Sequence, residues 1–423
     1  MSNTKILNTS RLVVPSNQQK IFLGEYSGFQ RYDSPKYQFA VNLENTQRNS
    51  FWNPNEIAMV TDGIKFPELP EHIQQIMIAV WLFQTLMDSG QNRGLDNILS
   101  TIVTTPEFES LFKTQGYFEL IHSLSYSHIL RGIFPDASVI FNKIDEYEEI
   151  KHRIDKEIEG YEKLAVINLN IKETIGSMSE YLAEYATVDE LLELEELTKG
   201  YQNLALRIIT RNADKMDEDK KKLILSLLIR VFALEGIKFY VSFLVTYVIN
   251  NSYNNKIQGA TRIIKLINFD EDLHVGIMAG TINILRKESV EGFKEIIDSP
   301  WFLETVNSIF NETYENEIEF AKYLMSFGPI PSLTIAVFES FLKFYVDDRV
   351  SKIGCPKIFN EKKSDIVEWF EMYKDINKDN TAQQEAEAMN YNIGILKNDI
   401  KEGVLINDIS NKWKEKNKGK ING

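Results

Sequence analysis

The chain has 423 residues, 43% of them hydrophobic and 26% charged, which is ample apolar material for a large core and excludes a disordered or fibrous protein. Its 47 basic and 61 acidic residues leave a formal net charge of −14, which argues against a protein that lives on phosphate backbones, and its single cysteine, Cys355, allows no internal disulfide. The start of the chain is polar and the longest uninterrupted apolar run, Ile76 to Phe83, spans eight residues, so neither a signal peptide nor a membrane span is expected. Taken in chain order, residues 1–50 read as an N-terminal arm of loops and short helix. Asn53-Pro54-Asn55-Glu56 looks like a helix start, and Pro70-Glu71-His72 opens an apolar-periodic stretch through Ile76, Val80, Phe83 and Met87. A second helix is predicted over about 107–133, then a charge-dense stretch over 141–172 and a Leu/Glu-rich one over 177–216. The span from Pro135 to Pro300 holds no other proline, and its most apolar segments, 222–250 and 261–286, are predicted as two uninterrupted helices. Further helices are expected over 301–350 and 363–374, around the Gly328-Pro329-Ile330-Pro331 break. The division is therefore an arm (1–50), an all-α domain (51–374) and an Asn/Lys/Glu-rich flexible tail (375–423).

Candidate chemistry lies in acids set into apolar helices. A Glu-x-x-His spacing places both side chains on one helix face, and it occurs three times. The copy ending in His152 sits among charges and reads as a solvated face, whereas Glu119-Leu120-Ile121-His122 and Glu271-Asp272-Leu273-His274 lie in helices with strong apolar faces. Single acids, Asp88 and Glu235, occupy two further apolar helices. One acid from each of two helices and an acid plus a histidine from each of two more is the pattern of a dimetal site in a ferritin-like four-helix bundle. Four carboxylates and two neutral imidazoles balance two divalent ions, and this oxygen-rich ligation suits iron or manganese. Pairing of Asp88 and Glu235 with Arg93 or Lys238 would explain those two acids but leave both Glu-x-x-His pairs unexplained. Tyr126 falls about 20° and 40° around the helix from Glu119 and His122, on the face of the predicted metals, with Phe239, Phe243 and Ile267 as an expected apolar pocket.

These residues resemble the small, radical-generating subunit of class I ribonucleotide reductase. The matching stretches are Phe51 to Glu56, Gln84 to Arg93, Glu119 to Ile129, Leu234 to Phe243 and Asp270 to His274, within a resemblance running from about Ile21 to about Lys374. It implies that Asp88, Glu119 and His122 hold one metal and Glu235, Glu271 and His274 the other, with Glu119 and Glu235 among the carboxylates able to bridge. Two iron ions per chain, or manganese, would use O2 to oxidise Tyr126, and the radical would pass through Trp52, His122 and Asp270, and Tyr391 in the tail, to a large subunit that reduces the ribonucleotide. The resemblance also implies a homodimer. Gln115 stands where relatives often have Trp, and the basic end of the tail is unlike those associated with docking on the large subunit. The readings left open are this subunit, a stand-alone ferritin-like oxidase or monooxygenase, and a metal-free helical scaffold. The bland expectation of place is the cytoplasm, with no nucleic-acid or membrane partner.

Overall fold

A computed structural model describes residues 12–375, apart from 26–28, 96–98, 100–101, 148–149, 152, 154–217 and 289. Most of the predicted helices at 141–172, all of 177–216, both ends of the Glu149/His152 pair and Tyr391 lie outside the described residues. Within them the helices are α1 (Gln38–Asn49), α2 (Val60–Lys65), α3 (Glu71–Gly94), α4 (Pro106–Ile133), α5 (Ala137–Asn142), α6 (218–233), α7 (Tyr240–Ser252), α8 (Gln258–Lys287), α9 (Lys294–Ile297), α10 (Pro300–Ser326), α11 (Ile335–Lys352) and α12 (Asp365–Tyr373). Among the described residues the sole extended pairing is an isolated antiparallel bridge between Phe22 and Val103.

The local chemistry explains where the long helices begin. Pro106 and Pro300 each sit in the first turn of their helix, where a missing N–H costs no intrahelical bond, and the Thr334 side chain caps α11 by accepting from Val337 N. The expected helix at Asn53 is a single 3-10 turn, Pro54–Glu56, in which the Asn53 side chain accepts from Asn55 N. The start of α8 is capped from another helix: Asp62 of α2, buried, accepts from Gly259 N at 2.9 Å and Ala260 N at 2.8 Å. That approach needs Gly259, because a Cβ there would lie 2.7 Å from the Ala58 carbonyl oxygen. Asp62→Ala would leave two buried helix donors unpaired and is expected to cost about 1–2 kcal/mol, read as a lower denaturation midpoint at unchanged m-value.

The core is a four-helix arrangement in which α3 packs on α4, α4 on α8, α8 on α7 and α7 back on α3. Helix α1 lies across α4 and α8 and approaches so closely that a Cβ on Gly280 would overlap the Phe39 ring. The predicted 222–250 helix is interrupted. Helix α6 ends in a π-helical turn, Leu234–Lys238, before the chain re-enters regular helix as α7. One extra residue in a turn rotates everything after it, and here the turn contains Glu235. No helix among the described residues is long and apolar enough to cross a membrane.

Candidate metal centre

Three walls of the core, and the π-turn that leads into the fourth, supply carboxylates to its interior. Asp88 comes from the last third of α3, Glu119 and His122 from the middle of α4, Glu235 from the π-turn, and Glu271 and His274 from the middle of α8; all six are fully buried. Their potential ligand atoms form two groups, Asp88, Glu119, His122 and Glu271, and Glu119, Glu235, Glu271 and His274, each within 4.8 Å. Glu119 and Glu271 are common to both. The carboxylates common to both groups are one from α4 and one from α8; Glu235, in the π-turn, lies in one group only.

Within the cluster, His122 Nδ1 lies 3.4 Å from Glu119 Oε2 and 3.2 Å from Glu271 Oε1, and His274 Nδ1 lies 3.0 Å from Glu119 Oε1 and 2.9 Å from Glu271 Oε2. Both oxygens of Asp88 and of Glu119, Oε2 of Glu235, Oε1 of Glu271 and Nδ1 of His122 are buried without a hydrogen bond. So many orphaned donors of electron pairs, converging from four helical segments, would be prohibitive in a purely structural core and are satisfied by two divalent cations. The donor set fits a dimetal-carboxylate centre.

Electrostatics agree. Burial pushes the Asp88 carboxyl well above the usual carboxylate range, and burial with the neighbouring Glu119 and Glu271 charges does the same to Glu235. Burial opposes charge on both imidazoles, but the surrounding carboxylates overcome it, lifting His122 well above its ordinary value and His274 to about 10. For Glu271 burial is likewise outweighed, here by His274 and His122, which hold its carboxyl below the usual range. Without metal the cluster compensates its crowding with protons; metal ions would take their place.

The next layer of contacts orients these groups. Asp270 Oδ2 accepts from Trp52 Nε1 at 2.7 Å and pairs with His122 Nε2 at 3.1 Å, with Trp52 and His122 rings stacked at 6.3 Å. An N–H on Nε2 directed at Asp270 leaves the His122 Nδ1 lone pair facing the cluster. Gln91 and Gln115 both donate to Glu235 Oε1. The Tyr126 phenol is fully buried, and burial followed by the Asp88 charge raises its pKa well above the ordinary value, so it stays protonated. Phe239, Phe243 and Ile267 are fully buried, the two phenylalanine rings stacked at 5.8 Å. Spacing alone gives Gln91 and Gln115 no role; the signal they carry in the sequence is a polar amide within an apolar helix.

Comparison with known proteins decides between the open readings. The family model for ribonucleotide reductase, small chain, matches residues 31–365. The chain belongs to that family. It is 31% identical over 387 residues to the ribonucleoside-diphosphate reductase subunit beta of Buchnera aphidicola subsp. Baizongia pistaciae, covering 90% of this chain and 93% of that one. Among solved structures it is similar to the ribonucleotide reductase R2 subunit from Clostridium botulinum, with TM-score 0.67, 21% identity and coverage of 88% and 98%, and to the dimanganese(II) NrdF of Streptococcus sanguinis, with TM-score 0.54, 18% identity and coverage of 82% and 99%. The fold is ferritin-like, the protein is the small (beta) subunit of a ribonucleoside-diphosphate reductase, and it pairs with an alpha subunit.

Proposed function

We propose that this subunit generates a radical on Tyr126 and passes it outward along Trp52, Asp270 and Tyr391. In this reading Asp88, Glu119 and His122 hold one ion, Glu235, Glu271 and His274 the other, and Glu119 and Glu271 are shared. Iron is the proposed resident, two ions per chain; manganese accepts the same donors. Bound there, the ions would supply, with O2, the one-electron oxidation of Tyr126. The chain does the rest: the buried apolar wall keeps water and reductants from the phenol, and Asp88 is the carboxylate whose charge acts on it most. Asp270 couples Trp52 to His122, so an electron leaving the indole and a proton shift at Asp270 can occur in one hydrogen-bonded unit. That unbroken chain from Trp52 Nε1 to the cluster is the observation that carries the reading: Asp270 orients His122, as a carboxylate partner does for a metal-binding histidine, and also ties it to an indole.

Tyr391 and the 375–423 tail are proposed as the relay and contact toward the large subunit, which must supply the reducing thiols because this chain holds a single cysteine, itself buried. The domain division at 50 and 374 and a cytoplasmic location complete the proposal. A homodimer is supported by apolar side chains left exposed on α4 and α2: Tyr117, Leu120 and Leu124 lie along one face of α4, Phe51 stacks on Tyr117, and Val60 and Ile64 are exposed on α2 beside it. A Leu120→Glu, Leu124→Glu double variant is expected to sediment as a monomer where the native chain sediments as a dimer. The central test is anaerobic loading with Fe(II) followed by O2: about two ions per chain and a tyrosyl signal by electron paramagnetic resonance are expected, and metal uptake with no radical would leave only an oxidase-like activity standing.

A further inference from the structure

Glu235 is held on one of its two oxygens by carboxamides from outside the ligand set. Oε1 accepts from Gln91 Nε2 at 2.6 Å and from Gln115 Nε2 at 3.2 Å, while Oε2 has no hydrogen bond. The two amides come from different helices, α3 and α4, and both are as buried as the acid they hold. Glu271 is also held on one oxygen, Oε2, but by a fellow member of the ligand set, His274, at 2.9 Å. Burying two carboxamides in a helical core is costly unless each makes its bonds, and Gln115 still leaves its own Oε1 unpaired. Neither helix needs these amides for its backbone bonding; what they have in common is Glu235 Oε1.

We propose that Gln91 and Gln115 are positioning residues that form a carboxamide clamp on Glu235, so that this acid presents Oε2 alone to the second metal. A carboxylate on a π-turn is free to rotate about its terminal torsion and to offer both oxygens, or to swing toward the shared position between the two ions. Two donors approaching one oxygen from α3 and α4 remove that freedom. Glu235 joins only the group containing His274, while Glu119 and Glu271 serve both. The clamp acts on one of the two metals. The Asp88, Glu119, His122 and Glu271 group does not include Glu235, so its affinity is set without the amides.

This inference rests on the proposed dimetal centre, and the test separates the two. Gln91→Met and Gln115→Met keep side-chain length and apolar volume and delete the donor. Each is titrated anaerobically with Mn(II) as full-length protein, with free Mn(II) followed by electron paramagnetic resonance. The native chain is expected to take up two ions; each variant is expected to keep the first site at native affinity and to bind the second about 10- to 100-fold more weakly, the usual effect of removing a partner of a metal ligand. The double variant is expected to fall short of the sum of the single effects, because both donors act on one oxygen. Melting of the metal-free proteins shows that the variants fold, and Gln115→Met, which also removes an unpaired buried oxygen, keeps the test available if Gln91→Met folds poorly. Native affinity at the second site in both variants, or equal weakening of both sites, overturns the clamp. Failure of the native chain to bind Mn(II) at all overturns the dimetal reading itself.

Discussion

Tyr126→Phe is expected to load about two metal ions per chain like the native protein and yet show no tyrosyl signal after O2, with ribonucleotide reduction at background. The change deletes one oxygen from a fully buried side chain and leaves the ring in place. That hydroxyl faces Asp88, whose charge helps raise its pKa, and a single neutral phenol contact of this kind is worth about 1 kcal/mol, so the stability cost is expected to be about that or less. A phenyl ring offers no proton to release as an electron leaves, and the accessible one-electron oxidation is lost with it. Tyr391→Phe is the contrasting variant: it should keep the Tyr126 signal and lose turnover with the large subunit, because it interrupts transfer and leaves generation untouched. A native-like tyrosyl signal in Tyr126→Phe would move the radical to another buried phenol. Tyr240, whose hydroxyl lies 3.0 Å from Asp272, Tyr247 and Tyr345 are fully or nearly fully buried and are the ones to examine next.

The features legible in sequence were those with a local rule behind them. Glu119 with His122 and Glu271 with His274 follow from three-residue spacing, and Asp88 and Glu235 stand out because a lone acid inside an apolar run has a desolvation cost that demands a partner. The starts of α3, α4 and α10 lie where Pro70, Pro106 and Pro300 stand. What escaped was set by packing. A π-turn needs one extra residue and carries no compositional mark, so the helix through Glu235 read as continuous; the turn lies against α11, where a Cβ on Gly236 would sit 3.0 Å from Arg349 Cγ. The hydrogen bond from Trp52 to Asp270 joins residues 218 apart, and no periodicity argument reaches that far; the family resemblance, not the pattern of apolar positions, singled out those two residues. The amides on Glu235 were hidden for a similar reason, since Gln91 and Gln115 are 24 residues apart on separate helices and meet only when α3 packs along α4.

Glu119→Gln is expected to abolish tight binding of both ions while leaving the metal-free chain at least as stable as the native one. Glu119 belongs to both ligand groups, so losing its negative charge weakens each site, whereas a change at Asp88 or Glu235 would weaken one. The substitution keeps the volume of the side chain and removes a buried charge whose two oxygens have no hydrogen bond, in a cluster that already crowds Asp88, Glu235 and Glu271. Removing it relieves repulsion and desolvation, at the cost of its attraction to His274, 3.0 Å away. The two states therefore move in opposite directions. Native protein in metal at 100 times its dissociation constant gains about 2.7 kcal/mol from each site, an increment the variant should lack. Thermal unfolding with and without Fe(II) or Mn(II), both anaerobic, reads the difference directly: a metal-dependent rise in Tm for the native chain and none for the variant, with metal-free midpoints equal or higher in the variant. A variant that still gains the native metal increment would show that Glu119 is not shared, and a metal-free variant that melts well below the native chain would show that this carboxylate is held by the fold and not by the ions it faces.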